Sequence, residues 1–110
     1  MSADHPQVYL VCYDIRWPAP HDERRGQRRL HRIHRLLRGF GDALQDSVFR
    51  CTLSPRHRAE LEVRLRALID PEVDQVLIVH LGAAGARTTW RATTLGVPMT
   101  EAARTCVVIG

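Results

Sequence analysis

The stretch Val8-Tyr9-Leu10-Val11-Cys12-Tyr13-Asp14-Ile15 is apolar at nearly every position until it reaches the carboxylate of Asp14. A strand over about Gln7 to Ile15 therefore shows no alternation between a wet and a dry face, and such a strand is expected to be covered on both sides. Gln75-Val76-Leu77-Ile78-Val79-His80-Leu81 reads the same way. Whatever fold is assigned must bury both runs at its centre.

The segments between them supply helices. Pro18 and Pro20 exclude regular structure in Trp17-Pro18-Ala19-Pro20-His21, and Asp22 stands where it can cap the helix that follows. Leu30, Ile33, Leu37 and Phe40 recur at helical spacing, with Arg28, Arg32 and Arg35 on another side, until Gly39 and Gly41 end the helix. Leu44 to Leu53 reads as a second strand. Ser54 as N-cap and Pro55 as first helical residue start a second helix, which sends Leu61, Leu65, Leu68 and Ile69 to the core. Glu60 with Arg64 and Glu62 with Arg66 can pair at i,i+4, and Asp70-Pro71 closes the helix. After the strand ending at Leu81, Gly82 to Ala86 reads as a turn, Arg87 to Leu95 as a further strand, and Thr105 to Ile109 as a short last one. The order β-α-β-α-β-β with a terminal strand predicts an α+β ferredoxin-like sandwich, both helices on one face of an antiparallel sheet. Two helices cover only one face, so a second subunit is expected on the other, as a homodimer.

At 110 residues the chain is expected to form a single domain, 1–110, with enough buried surface to need no covalent staple. The cysteines, Cys12, Cys51 and Cys106, are odd in number and lack C-x-x-C spacing, which argues against a disulfide framework and a zinc ribbon. The N-terminus has no basic start followed by an apolar run, and no apolar stretch is long enough to span a bilayer, so no membrane association and a cytoplasmic location are expected.

Charge is distributed unevenly. Arg16, Arg24, Arg25, Arg28, Arg29, Arg32, Arg35 and Arg38 make up half of the sixteen basic residues and face only Asp22 and Glu23 in that interval, so the net charge of +4 understates the local field. Every basic residue is arginine, whose flat donor fork suits phosphate, although composition bias can account for the absence of lysine. Bias does not account for the crowding before residue 39. The stripe of Arg24, Arg28, Arg32 and Arg35, flanked by Arg25 and Arg29, can be a solvated face or a polyanion surface. If six phosphates were bound, affinity would fall roughly a thousandfold between about 50 and 200 mM salt, with no sequence information in the contacts.

Asp14 at the end of its strand can be a turn former or a metal ligand. Magnesium often takes only one or two protein carboxylates and fills its octahedron with water and phosphate oxygens, and a dimer could bring two copies of Asp14 together. His31 and His34 lie at i,i+3 among arginines that oppose a cation, and they read as phosphate contacts or exposed residues. His80 reads as a hydrogen-bonded core residue. Ser47 has no Gly-x-Ser-x-Gly setting, which argues against a serine nucleophile.

Tyr9-Leu10-Val11-Cys12-Tyr13-Asp14-Ile15, then Arg29-Leu30-His31-Arg32-Ile33-His34-Arg35-Leu36-Leu37-Arg38-Gly39-Phe40-Gly41, then Gln45-Asp46-Ser47-Val48-Phe49, in this order, resemble the CRISPR-associated protein 2 family over about residues 7 to 82. The resemblance implies a ferredoxin-like homodimer whose last strand crosses to the partner's sheet, which makes 104–110 the crossing segment. It implies a CRISPR adaptation protein that binds duplex DNA with two integrase dimers in a heterohexameric complex. It further implies a magnesium-dependent endonuclease acting on RNA or DNA, with Asp14 as the catalytic and Mg2+-holding residue. The family's basic residues match Arg25, Arg28, Arg29 and Arg32, and Arg16, Arg24 and Arg35 complete the expected nucleic-acid surface. Single-stranded RNA is a further expected substrate. Ala43 and Arg50 depart from the family pattern around the second strand, and the Arg16 to His21 loop is longer than is usual there. Two other readings stay open: a non-catalytic DNA-holding subunit in which Asp14 is structural, and a toxin-like ribonuclease on the same fold.

Overall fold

The computed structural model describes residues 5–85 and 91–98. Its strands are β1 (Gln7–Asp14), β2 (Asp42–Gln45), β3 (Val48–Leu53), β4 (Gln75–Ala83) and β5 (Arg91–Gly96), and its helices are α1 (Glu23–Arg38) and α2 (Pro55–Leu68). The strands form one sheet in the order β2-β3-β1-β4-β5, antiparallel at every junction. The inner order β2-β3-β1-β4 is that of a ferredoxin-like α+β sandwich, with β5 added as a hairpin partner of β4. β1 lies at the centre, as its continuous apolar run requires.

The segment read as one strand, Leu44 to Leu53, is a hairpin. Asp46 and Ser47 turn the chain between β2 and β3, and β1 holds that turn from beside it. The Tyr13 hydroxyl donates to the Asp46 carbonyl at 2.8 Å, and the Tyr13 amide donates to the Ser47 carbonyl at 3.1 Å. With tertiary hydrogen bonds fixing it, the turn needs no glycine, and its local signal is only the pair Asp46-Ser47. β5 is described from Arg91, the expected start at Arg87 lying outside the described residues, and β4 continues to Ala83, so the turn expected from Gly82 starts after it. Thr105 to Ile109 lies outside the described residues.

Burial alternates along the sheet even where the sequence does not. Tyr9, Val11 and Tyr13 of β1, Phe49 and Cys51 of β3, and Val76 and Ile78 of β4 are buried beneath Ile33 and Leu37 of α1 and Leu61 and Leu65 of α2. The opposite face carries Val8, Leu10, Cys12, Leu77 and Val79, all half-buried in the single chain. Cys12 and Leu77 are paired across the strands, as are Leu10 and Val79, so these apolar side chains form one patch.

The helix starts differ in chemistry. Ser54 caps α2, its hydroxyl accepting from the His57 amide at 3.2 Å. Asp22 occupies the cap position of α1 but makes no capping hydrogen bond, because a short 3-10 turn, Pro20–Asp22, already leads into the helix. On α2, Glu60 pairs with Arg64 at 2.8 Å, and Glu62 is held by both Arg58 and Arg66. No helix among the described residues is long and apolar enough to cross a membrane.

Candidate active site and basic surface

Asp14 ends β1 opposite Gln75, and its carboxylate is exposed. It lines a cleft of about 460 Å³ with Arg16, Pro18, Glu72, Val73, Gln75, Val97 and Pro98. The cleft thus lies where the loop after β1, the entry to β4 and the exit from β5 converge. Arg16 reaches back over Asp14: its Nε lies 2.9 Å and its Nη2 2.8 Å from Asp14 Oδ2. Both side chains are more than half exposed, so water screens the pair and its net contribution is about 0–1 kcal/mol.

Apart from Arg38 at its end, the arginines of α1 divide into three groups. Arg24, Arg28, Arg32 and Arg35 line one shallow groove with Gln27 and His31, as their i,i+4 and i,i+3 spacing predicts. Arg25 is exposed beside them. Arg29 is diverted into the protein, donating from Nε to Asp74 Oδ2 at 2.7 Å and from Nη2 to Asp74 Oδ1 at 3.2 Å. Hydrogen bonding to Asp74 raises the Arg29 pKa still further, against the opposing effect of burial. The Asp14 cleft and the arginine groove share no lining residue. They are two surfaces of the monomer, linked through Arg29 rather than merged.

Asp74 is the residue that sequence reading passed over. It is fully buried, and its carboxylate accepts from Arg16 N, Asp70 N and both Arg29 nitrogens. These four donors occupy its acceptor positions, which leaves it no role as a metal ligand. The only sequence signal is its place directly before an apolar strand, and Asp70-Pro71 reads as the whole of the helix stop.

The histidines resolve into separate roles. His34 Nδ1 lies 2.8 Å from the Tyr13 hydroxyl and its ring meets Phe49 edge-on, so it is a packing residue rather than an exposed one. Because the Tyr13 hydroxyl already donates to the Asp46 carbonyl, His34 Nδ1 must be the donor in that contact. His31 remains exposed on the groove. His80 stacks on Tyr9 with ring centroids 4.9 Å apart, and its Nε2 lies 2.8 Å from Gln7 Oε1.

Residues 7–89 match the family model described as CRISPR associated protein Cas2. The chain belongs to that family. It is 35% identical over 83 residues to the CRISPR-associated endoribonuclease Cas2 of Nitratidesulfovibrio vulgaris, covering 76% of this chain and 78% of that protein. Similarity to a Cas2 endoribonuclease of Thermus thermophilus is 35% over 85 residues, covering 77% and 82%. For a Cas2 endoribonuclease of Synechocystis it is 36% over 94 residues, covering 86% and 92%. Among solved structures, a hypothetical protein from Thermus thermophilus superposes with a TM-score of 0.54 at 33% identity, covering 66% of this chain and 78% of that one. Streptococcus pyogenes Cas2 superposes with a TM-score of 0.53 over 94% of this chain and 99% of that one, at 23% identity, and that likeness bears on the fold alone.

The donor set limits how a Cas2-type site here could hold a metal. Among the described residues no three of His, Cys, Asp and Glu come together, and the acids on the cleft are Asp14 and Glu72. A magnesium ion fits such a site only with water, a phosphate oxygen or a second carboxylate completing its shell.

Proposed function

We propose that this Cas2 family protein acts in CRISPR adaptation as a homodimer that binds duplex DNA alongside integrase dimers and hydrolyses phosphodiester bonds in RNA or DNA with Mg2+ at Asp14. The observation that carries the reading is the Asp14 carboxylate, exposed at the end of the central strand on a cleft that also presents a guanidinium. The three relatives named above are described as endoribonucleases, which agrees with hydrolysis at this position.

The half-buried patch of Leu10, Cys12, Leu77 and Val79 supports the dimer, since it is an apolar surface that keeps partial exposure in the single chain. Asp14 lies two residues beyond Cys12 on the same strand face, so two copies joined through that patch bring their Asp14 residues toward one another. Asp14, from one or both subunits, would hold Mg2+, which when bound supplies an activated water and neutralises charge on the scissile phosphate. Arg16 then has a phosphate to engage in place of Asp14. Arg24, Arg25, Arg28, Arg32 and Arg35 present the polyanion surface, while Arg29 has a different task.

A scaffold reading is favoured by one feature: without a ligand, Arg16 already neutralises Asp14, an arrangement that also suits a structural aspartate. Cleavage of labelled single-stranded RNA and duplex DNA, with and without Mg2+, by wild type and Asp14→Asn decides between the two. Mg2+-dependent cleavage lost in the variant supports the nuclease. Equal cleavage by both proteins points to contamination, and no cleavage with retained, salt-sensitive duplex binding makes the protein a scaffold.

A further inference from the structure

Arg16 is gripped by its backbone as well as joined to Asp14 by its side chain. Its amide donates to Asp74 Oδ1 at 3.2 Å, and its carbonyl accepts from Arg29 Nη2 at 2.9 Å. The two groups that hold it are themselves joined by the buried ion pair, whose Asp74 side chain has no solvent exposure and whose Arg29 side chain has 18%. One residue's N–H and C=O are thus fixed from both sides by a single Asp–Arg unit.

The same unit ties together the other walls of the cleft. Asp74 Oδ2 accepts from Asp70 N, and the Asp74 carbonyl accepts from Val97 N, both at 2.8 Å. Gln75 Nε2 donates to the Val97 carbonyl at 2.8 Å. Gly96 has φ of +88°, and a Cβ there would run into the Asp74 carbonyl, so the exit of β5 can close on Asp74 only with glycine at that position. On the α1 side Trp17 packs directly on Gly26, where a side chain would collide with the indole. The loop carrying Arg16 is held to α1 by both contacts.

We infer that Asp74 and Arg29 are positioning residues for the Asp14 site, clamping the Arg16 peptide so that Arg16 and Asp14 keep one mutual geometry on the cleft. This rests on the reading of Asp14 as the site of phosphodiester cleavage. The pair holds Arg16 by its main chain, N–H and C=O both, and the Arg16 guanidinium lies 2.8 Å from Asp14 on the cleft. Misplacement of a reacting group by about 1 Å can cost on the order of a hundredfold in rate.

Two altered proteins separate positioning from stability. Arg29→Lys keeps a cation opposite Asp74 but cannot donate to Asp74 and to the Arg16 carbonyl in the same fork geometry. Asp74→Leu combined with Arg29→Met replaces the ion pair by apolar side chains, a change that often preserves or raises stability. In steady-state cleavage of labelled RNA at saturating Mg2+, both proteins are expected to lose at least about tenfold in kcat, with KM and duplex affinity within about twofold of wild type and circular dichroism showing a folded chain. Cleavage at the wild-type kcat by either folded protein, with Asp14→Asn inactive, overturns the clamp and leaves the nuclease standing. If wild type itself shows no Asp14-dependent cleavage, the function reading fails and the clamp's role falls with it.

Discussion

The Arg29 guanidinium lies 2.7 Å from the carboxylate of Asp74, a side chain that solvent does not reach. Arg28, its neighbour in sequence, points into the open groove. Arg29→Ala would strand the buried carboxylate and is expected to cost about 3 kcal/mol of stability or more. Arg28→Ala should leave stability within about 0.5 kcal/mol. Urea denaturation of the two variants measures this, and equal midpoints would show that Arg29 is a surface residue after all.

With Arg29 removed from the phosphate surface, the groove offers Arg24, Arg28, Arg32 and Arg35. Four such contacts correspond to a loss of duplex affinity of roughly a hundredfold between about 50 and 200 mM salt, less than six would give. Arg28→Ala and Arg32→Ala should each weaken binding to unrelated duplexes alike and reduce the salt slope by about one. Slopes unchanged from wild type would exclude α1 as the nucleic-acid surface.

Much of the architecture is written in local pattern, and the parts that are not share a cause. The periodicity of Leu30, Ile33 and Leu37, the Ser54-Pro55 start and the apolar runs around Val11 and Ile78 each depend on neighbours within a few residues, and each is found in the fold. The Asp46-Ser47 turn is held by Tyr13, 33 residues from Asp46 in sequence, and Asp74 acts on Arg16 and Arg29 across 58 and 45 residues. Contacts of that span leave no mark on local spacing. The same limit explains the stripe. Helical spacing places Arg28 and Arg32 correctly, but Arg29 takes its role from a partner in another element.

Arg16 holds Asp14 Oδ2, the oxygen that a metal ion bound as proposed would have to share. Replacing Arg16 by Gln should tighten binding of Mn2+, used as a probe for Mg2+, by about threefold, the order expected from releasing an exposed ion pair. Asp14→Asn should abolish that binding. Isothermal titration reads both, and weaker binding by Arg16→Gln would mean that the guanidinium assists the ion rather than excluding it.

Hydrogen bonds from Arg58, reinforced by the nearby charge and by Arg66, hold the Glu62 carboxyl below its ordinary pKa, against a smaller opposing effect of burial. A lowered folded-state value means that the stabilisation is present above the usual glutamate range and is lost as pH falls through the folded value. Glu62→Gln should therefore be less stable than wild type at pH 7 by up to about 1 kcal/mol, the scale of two i,i+4 pairs. The difference should vanish once the pH has fallen through the folded-state value and the wild-type carboxyl is neutral. A gap between the two melting curves that persists in acid would assign the effect to packing instead of charge.

Cys12 and Cys51 give a chemical footprint of the open sheet face. Cys51 is buried beneath the helices, and burial, with a smaller contribution from Asp42, pushes its thiol up to about 11. At pH 8 only about one molecule in a thousand carries its reactive thiolate, so Cys51 should resist iodoacetamide until the chain unfolds. Cys12 is also raised by burial, but it stands half-buried on the face that carries Leu10, Leu77 and Val79. In dilute protein it should be alkylated well ahead of Cys51. If two chains meet through that face, raising the protein concentration must slow modification of Cys12 and leave Cys51 unaffected, as followed by peptide mass spectrometry. Cys12 modification that is independent of concentration across the range where sedimentation shows dimers would place the contact elsewhere, and the two Asp14 residues would then not be brought together.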